Sequence, residues 1–542
     1  MIEERKKYCM KKIFIVAISL CFSLNAIAQN ADLKSASNKM VKLMWMIENA
    51  YVDSTDIGKI TEEGIKAMLK ELDPHSTYIP KSDVQKMNEP LQGNIIGIGV
   101  TFQILNDTIH VIDVVADGPA DKVGMYPGDK ILKVNDTIAT GKEINNDWVT
   151  THLRGKKGTK VRIVVERNGK GELTFEIIRD KIPLNSIDTW FMIDKEIGYV
   201  SLRRFAQTSR DELVAAIDSL KQQGMKKLIF DLRSNGGGYL DAAFKICEEF
   251  LPKDKLVVYT EGLHQSRQEF VTSSNKGVFE KGALVILTDE YTASASEITS
   301  GAVQDWERGV IVGRRTFGKG LVQRPINLDD GSQVRLTTAR YYIPSGRCIQ
   351  KPYADGTEEY YKDYQKRYSH GEMVSIDSIS FPDSLKYQTM NGRTVYGGGG
   401  IMPDIFVPMD TTKASSYFVD LRSKNIFNDF SINFVESKRE ELLKELPKFE
   451  DFDKAWPTMN IMQEFTKFAE EKGITPKEND TIAQEIIDKS NLHIELTVKG
   501  FIARNLYGTK FYYKTIQNND ETLQKAIELI RDEKQYKKIL KN

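Results

Sequence analysis

The stretch Ala283-Leu-Val-Ile-Leu-Thr-Asp-Glu-Tyr-Thr-Ala-Ser-Ala-Ser-Glu-Ile298 decides the reading of this chain. Its first residues run apolar without alternation up to Thr288, the pattern of a strand buried on both faces. Asp289 and Glu290 end the run, and from Ser296 to Trp306 the apolar spacing turns helical. A buried strand, a short loop and a helix in succession belong to an α/β layer with a covered sheet.

The same alternation recurs on either side, from Asn185 to about Pro408. Ile197–Leu202 and Lys227–Leu232 read as strands, Arg210–Gln223 and Tyr239–Leu251 as helices. Two loops follow strand ends, Arg233-Ser-Asn-Gly-Gly-Gly238 and Asp289–Ala295. Open α/β sheets place their sites at such ends, often beside a helix N-terminus.

One residue of the second loop and one of a later glycine-flanked stretch suggest chemistry. Ser294 precedes the helix, and Lys319 stands in Thr316-Phe-Gly-Lys-Gly-Leu-Val-Gln323. A serine hydroxyl is a weak nucleophile until a base takes its proton, and lysine serves only as the free amine. Moving its pKa from about 10.4 to near 7 or 8 costs roughly 3–5 kcal/mol, which desolvation in an apolar pocket can supply. Phe317, Leu321 and Val322 offer such surroundings. Each residue also has an ordinary reading. Ser294 and Glu297 have the spacing of a capping box, and Gly-Lys-Gly suits an exposed turn. Ser296 is a competing hydroxyl. The glycines at 236–238 suit an oxyanion hole, since glycine lets an amide approach a scissile carbonyl, and the Ala295 amide at the helix start is a natural second donor.

Residues 29–90 read as a helical segment ending in the turn Leu72-Asp-Pro-His-Ser76, with Val41, Met44, Trp45 and Ile47 on an amphipathic stretch. His75 is read as a local hydrogen-bonding residue. Residues 91–180 are short strands and glycine turns with a helix near Asn145–Leu153. Residues 411–542 are helical and carry no motif with chemistry attached; Glu440–Leu446 and Glu521–Leu540 read as amphipathic helices. The fold expected is therefore multidomain α/β: a helical N-terminal segment, a β-rich domain, an α/β core over 181–410 with a buried sheet, and a helical C-terminal region.

Composition narrows the function. The 542 residues are 40% apolar and 28% charged, and 76 Lys plus Arg balance 76 Asp plus Glu, so bulk charge calls for no nucleic acid partner. With six histidines, and no Walker loop, Gly-x-Ser-x-Gly elbow or His-Glu-x-x-His, neither a metal nor a cofactor is expected. Residues 1–28 carry Arg5, Lys6, Lys7, Lys11 and Lys12, an apolar run from Ile13 and Ala26-Ile-Ala28, the plan of a secretory signal peptide. Export, with the periplasm as destination, is the expectation. Cleavage after Ala28 leaves Cys247 and Cys348, whose pairing the sequence leaves open.

Two resemblances add to this. Gly97-Ile98-Gly99-Val100, followed by Asp117-Gly-Pro-Ala-Asp-Lys-Val-Gly-Met-Tyr-Pro-Gly-Asp-Lys-Ile131, resembles a PDZ domain of the bacterial protease-associated kind. That implies capture of an extended peptide by strand addition, with its terminal carboxylate held by the backbone of Gly97, Ile98, Gly99 and Val100. Asp231-Leu-Arg-Ser-Asn-Gly-Gly-Gly238, Ala293-Ser-Ala-Ser-Glu-Ile298, Gly301-Ala-Val-Gln-Asp305, Gly313–Gln323 and Gly399-Gly-Ile-Met-Pro-Asp404 together resemble the C-terminal processing peptidases. The resemblance implies Ser294 as nucleophile, Lys319 as general base, Gln323 as the residue orienting the lysine, and Gly238, Gly237 and Ala295 as oxyanion donors. The function implied is a secreted serine endopeptidase that selects proteins through C-terminal tails or unstructured regions and works through an acyl-enzyme. The alternative is a peptide-binding scaffold with an idle core. Partners expected are proteins or peptides with accessible C-termini; a homo-oligomer, a regulatory partner and peripheral membrane association are left open.

Overall fold

The computed structural model describes residues 32–105, 107–115, 117–167, 169–273, 277–411, 415–476 and 484–541. The expected signal peptide, residues 1–28, lies outside the described residues.

The centre is a six-stranded sheet in the order Ile187–Met192, Ile197–Leu202, Lys227–Asp231, Leu284–Thr288, Val310–Gly313 and Ile405–Phe406. The first pair is antiparallel and the rest parallel. The apolar run Ala283–Thr288 explains its burial. Leu284 and Ile286 face one core with the helices Ser209–Gln222, Leu240–Glu248 and Ala295–Asp305. Val285 and Leu287 face another. That second face is covered by the helices Glu521–Arg531 and Glu533–Ile539, through Leu523, Ile527, Leu529, Ile530 and Tyr536. Alternating side chains of one strand therefore feed two cores, so no polar face is left. The expected single helix over 521–540 is two helices, because Asp532 leaves the helical conformation and its carboxylate caps the second by accepting from Lys534 and Gln535 N–H.

A second sheet sets the lysine loop. Gln333–Tyr342 pairs with Leu321–Asn327, with Leu256–Gly262 and, through Gln333–Arg335, with Thr77–Ile79 of the N-terminal segment. That segment contains helix 32–50 and Ile57–Lys70, the latter capped by Asp56 accepting from Lys59 N–H. The apolar side of helix 32–50 packs on little of the chain: Val41 and Trp45 stay 67% and 64% exposed.

The β-rich domain is a sheet in the order Val100–Leu105, Thr108–Val114, Lys130–Val134, Lys160–Arg167 and Gly171–Ile178, with the helix Asn146–Leu153 capped by Asn145. Its ends leave through the paired strands Asn94–Gly97 and Asp180–Pro183. The helices between Ser416 and Ile516 build a separate aromatic-rich core. They dock on the β-rich domain, where Glu436 meets buried His110 at 2.9 Å and Asp429 accepts from Gln103.

Candidate active site

Ser294 follows the Leu284–Thr288 strand and is the N-cap of Ala295–Asp305, a helix buried at every position. Its backbone sits at φ 58° and ψ −116°, a conformation that costs a non-glycine residue about 1–3 kcal/mol. Surrounding bonds hold it there. The Glu297 carboxylate accepts from Ser294 N–H at 2.8 Å, completing half of the capping box that the spacing suggested. The same carboxylate accepts from Lys319 N–H at 2.8 Å, Gly318 N–H at 2.7 Å and the Thr316 hydroxyl at 2.5 Å. The buried Tyr341 hydroxyl adds a second clasp, reaching the carbonyl oxygens of Ser294 at 3.0 Å and of Lys319. The nucleophile turn and the lysine loop are thus fastened together through one side chain from the helix and one from the neighbouring sheet.

Burial governs the electrostatics. It pulls the Lys319 pKa below the ordinary lysine value, with the Glu297 carboxylate opposing the shift, Arg335 adding to it and Asp73 opposing it. Burial also pushes Glu297 up to about 7, against four hydrogen bonds that favour its anion. His75 is held down to about 3, by burial first and by the nearby Lys319 second. The imidazole Nε2 lies 2.9 Å from the Tyr360 hydroxyl, so this histidine bonds a distant tyrosine as well as standing beside the lysine.

The glycine loop lies against the nucleophile. A Cβ on Gly237 would fall 2.8 Å from Ser294 Cβ and 2.9 Å from Ala295 N, and one on Gly238 would fall 2.1 Å from the Phe205 carbonyl oxygen. Only glycine fits either place. The Gly237 N–H donates to Asn235 Oδ1 at 2.8 Å, so this amide is spent on shaping the loop. Among the described residues, the amides of Gly238 and Ala295 donate to nothing in the protein. They are the pair free to meet an oxyanion. Ser296, the competing hydroxyl, is buried and donates to the Asn235 carbonyl at 2.9 Å, which ties the helix to the glycine loop.

Gln323 stands on the strand Leu321–Asn327 that follows Lys319, and the two side chains are not joined by a hydrogen bond. Gln323 Nε2 donates to Thr337 Oγ1 at 3.1 Å. Among the described residues no hydrogen bond links Lys319 Nζ to Gln323 or to the Ser294 hydroxyl. Glu297, Tyr341 and Asn235 are the residues that sequence reasoning missed as parts of the site. Glu297 carried a local signal in its spacing from Ser294; Tyr341 carried none, because it arrives from a different sheet.

At Gly97–Val100 the carbonyls of Ile98 and Gly99 accept from Ala120 and Val115 N–H at 2.8 and 2.9 Å. Among the described residues the amides of Ile98 and Gly99 remain undonated, with Gly99 at φ 82°. Among the described residues the neighbouring strand Val100–Leu105 pairs on one side only. Cys247 and Cys348 are both free thiols.

Comparison with known proteins places these features. Residues 196–359 match the model of peptidase family S41, residues 97–178 that of the PDZ domain, and residues 417–508 that of a family of unknown function. The chain is 32% identical over 435 residues to the carboxy-terminal processing protease CtpA of Bacillus subtilis (strain 168), covering 79% of this chain and 88% of the relative. Among solved structures it is similar to the photosystem II D1 C-terminal processing protease, at 27% identity and a TM-score of 0.34, covering 57% of this chain and 89% of that one. It is also similar to the PDZ domain of a carboxy-terminal protease from Vibrio cholerae in complex with peptide, at 31% identity and a TM-score of 0.16, covering 17% of this chain and 99% of that one.

Proposed function

With the chain a member of peptidase family S41, among the carboxy-terminal processing proteases, we propose that it is an exported serine endopeptidase in which Ser294 is the nucleophile and Lys319 the base. The free amine of Lys319 takes the proton from Ser294 Oγ as Oγ bonds the scissile carbonyl carbon. Negative charge moves onto the carbonyl oxygen, where the Gly238 and Ala295 amides receive it. Lys319 returns the proton to the leaving nitrogen as the C–N bond breaks, and water then releases the acyl group from the serine by the same steps. The observation that carries this reading is the double clasp of Glu297 and Tyr341, which holds the Ser294 and Lys319 backbones to shared partners.

The PDZ domain supplies selection. The undonated amides at 98–99 and the one-sided strand Val100–Leu105 suit a C-terminal carboxylate and an added peptide strand. Holding a tail there raises the local concentration of the adjoining chain at Ser294. The basic and apolar order of residues 1–28 supports export to the periplasm.

The test is digestion of a disordered protein by the wild type, Ser294→Ala and Lys319→Ala. Both variants are expected to lose turnover while still binding tailed peptides. Undiminished cleavage by either would defeat the assignment, and turnover absent from the wild type as well would favour a binding scaffold.

A further inference from the structure

The turn Leu72-Asp-Pro-His-Ser76 stands out in the sequence and has no role in the chemistry above. In the structure it abuts the strand that faces Gln323. Asp73 is buried, and every contact to its carboxylate is a donor: His75 N–H at 2.8 Å, Ser76 N–H at 2.9 Å, the Ser76 hydroxyl at 2.6 Å and the Thr337 hydroxyl at 3.0 Å. Thr337 is seated from both sides, since its N–H donates to Ser76 Oγ at 3.0 Å and its strand position lies opposite Gln323.

The direction of each proton follows from valence. An ionised carboxylate only accepts, so the single Thr337 hydroxyl proton points at Asp73. Thr337 Oγ1 is then left as an acceptor toward Gln323, which satisfies it only by presenting Nε2, the arrangement observed at 3.1 Å. The Gln323 amide is thereby fixed in one of its two orientations, with Oε1 as its remaining acceptor. Among the described residues Oε1 has no donor, and Lys319 Nζ has no hydrogen-bond acceptor.

We propose that Asp73 and Thr337 are positioning residues, which lock the Gln323 amide so that Oε1, not Nε2, is offered to Lys319 Nζ. This rests on the reading of Lys319 as the base. Without the lock the amide can turn over, and an Nε2 donor facing the lysine would compete for the lone pair that must take the serine proton. The groups facing Lys319 are Glu297, Arg335, Asp73 and His75, and of these Thr337 bonds Asp73 alone.

The test is kcat, KM and the pH profile of kcat for an internally quenched peptide with the full-length chain and Thr337→Val, which keeps the shape and removes the hydroxyl. The expected result is a kcat lowered about tenfold or more at its plateau, with KM within about twofold of wild type. The acid limb of kcat is expected to move to lower pH, because an oxygen acceptor favours the ammonium and its loss disfavours it. Thr337→Ser is expected to restore both kcat and limb, and Thr337→Ala answers the same question if the valine variant does not fold. A wild-type profile in Thr337→Val overturns the proposal, as does a lowered kcat with an unmoved limb, the outcome of a purely structural role. Lys319→Ala is run alongside: an active Lys319→Ala sinks the lysine-base reading and this proposal with it, whereas an inactive one beside a wild-type Thr337→Val sinks this proposal alone.

Discussion

At the scale of single residues the site separates two serines that sequence alone leaves in competition. Ser294 occupies a strained turn against the glycine loop, while Ser296 is buried and spends its hydroxyl on the Asn235 carbonyl. Ser296→Ala is expected to cost about 1 kcal/mol of stability, since Asn235 still accepts from Ala293 N–H, and to keep activity within a few-fold of wild type. Ser294→Ala is expected to lower kcat by at least about 1000-fold with an unchanged melting curve. Parallel denaturation and peptidase assays of the two variants decide between the hydroxyls. Lys319 pays for its position in stability: its burial disfavours the cation, so Lys319→Met is expected to raise stability by about 0.5–2 kcal/mol at neutral pH while abolishing turnover. A drop in melting temperature would mean that the lysine is not held against its own solvation.

At the scale of elements, the turn before Thr77–Ile79 links acid sensitivity to the site. His75 has a folded pKa of about 3 against an ordinary 6.5, so between those values the unfolded chain binds more protons than the folded one. Stability therefore rises with pH across that window and falls as the medium is acidified through it. His75→Gln is expected to flatten this dependence by up to one proton, read from denaturant midpoints between pH 6.5 and 3. The turn also shows what the sequence could and could not disclose. Strands such as Leu284–Thr288 were legible because an unbroken apolar run has few other uses, and the helix after Ser294 because its cap and periodicity agree. Glu297 was half legible, visible as a cap partner but not as the clasp on the lysine loop. The bond from Thr337 to Asp73 was not legible, because it joins residues 264 apart that meet only when Thr77–Ile79 adds to the second sheet. The break at Asp532 was hidden for another reason: apolar periodicity continues across it, and only the carboxylate's bonds to the next turn reveal the new helix.

At the scale of the molecule, the last helices belong with the catalytic core and not with the helical domain before them. Leu523, Ile527, Leu529 and Ile530 pack on one face of the central sheet, and the Tyr536 hydroxyl bonds both N–H and carbonyl of Leu284 at 2.9 Å. Burial of four such side chains, at about 1.5–3 kcal/mol each, is comparable with the roughly 5–15 kcal/mol that holds a domain folded. A chain ending at Asp520 is expected to be insoluble or molten, checked by near-ultraviolet circular dichroism; a native spectrum would show the sheet to be stable without that cover. The helical domain of 417–508 is seated on the PDZ domain, where Glu436 meets His110. Activation of Ser294 by Lys319 is read out by the pH dependence of covalent labelling by an organofluorophosphonate, with the modified residue identified by mass spectrometry. The expected result is a label on Ser294 alone, at a rate that rises with pH through a pKa below that of ordinary lysine and collapses in Lys319→Ala. Labelling of another residue, or an undiminished rate in Lys319→Ala, would contradict it.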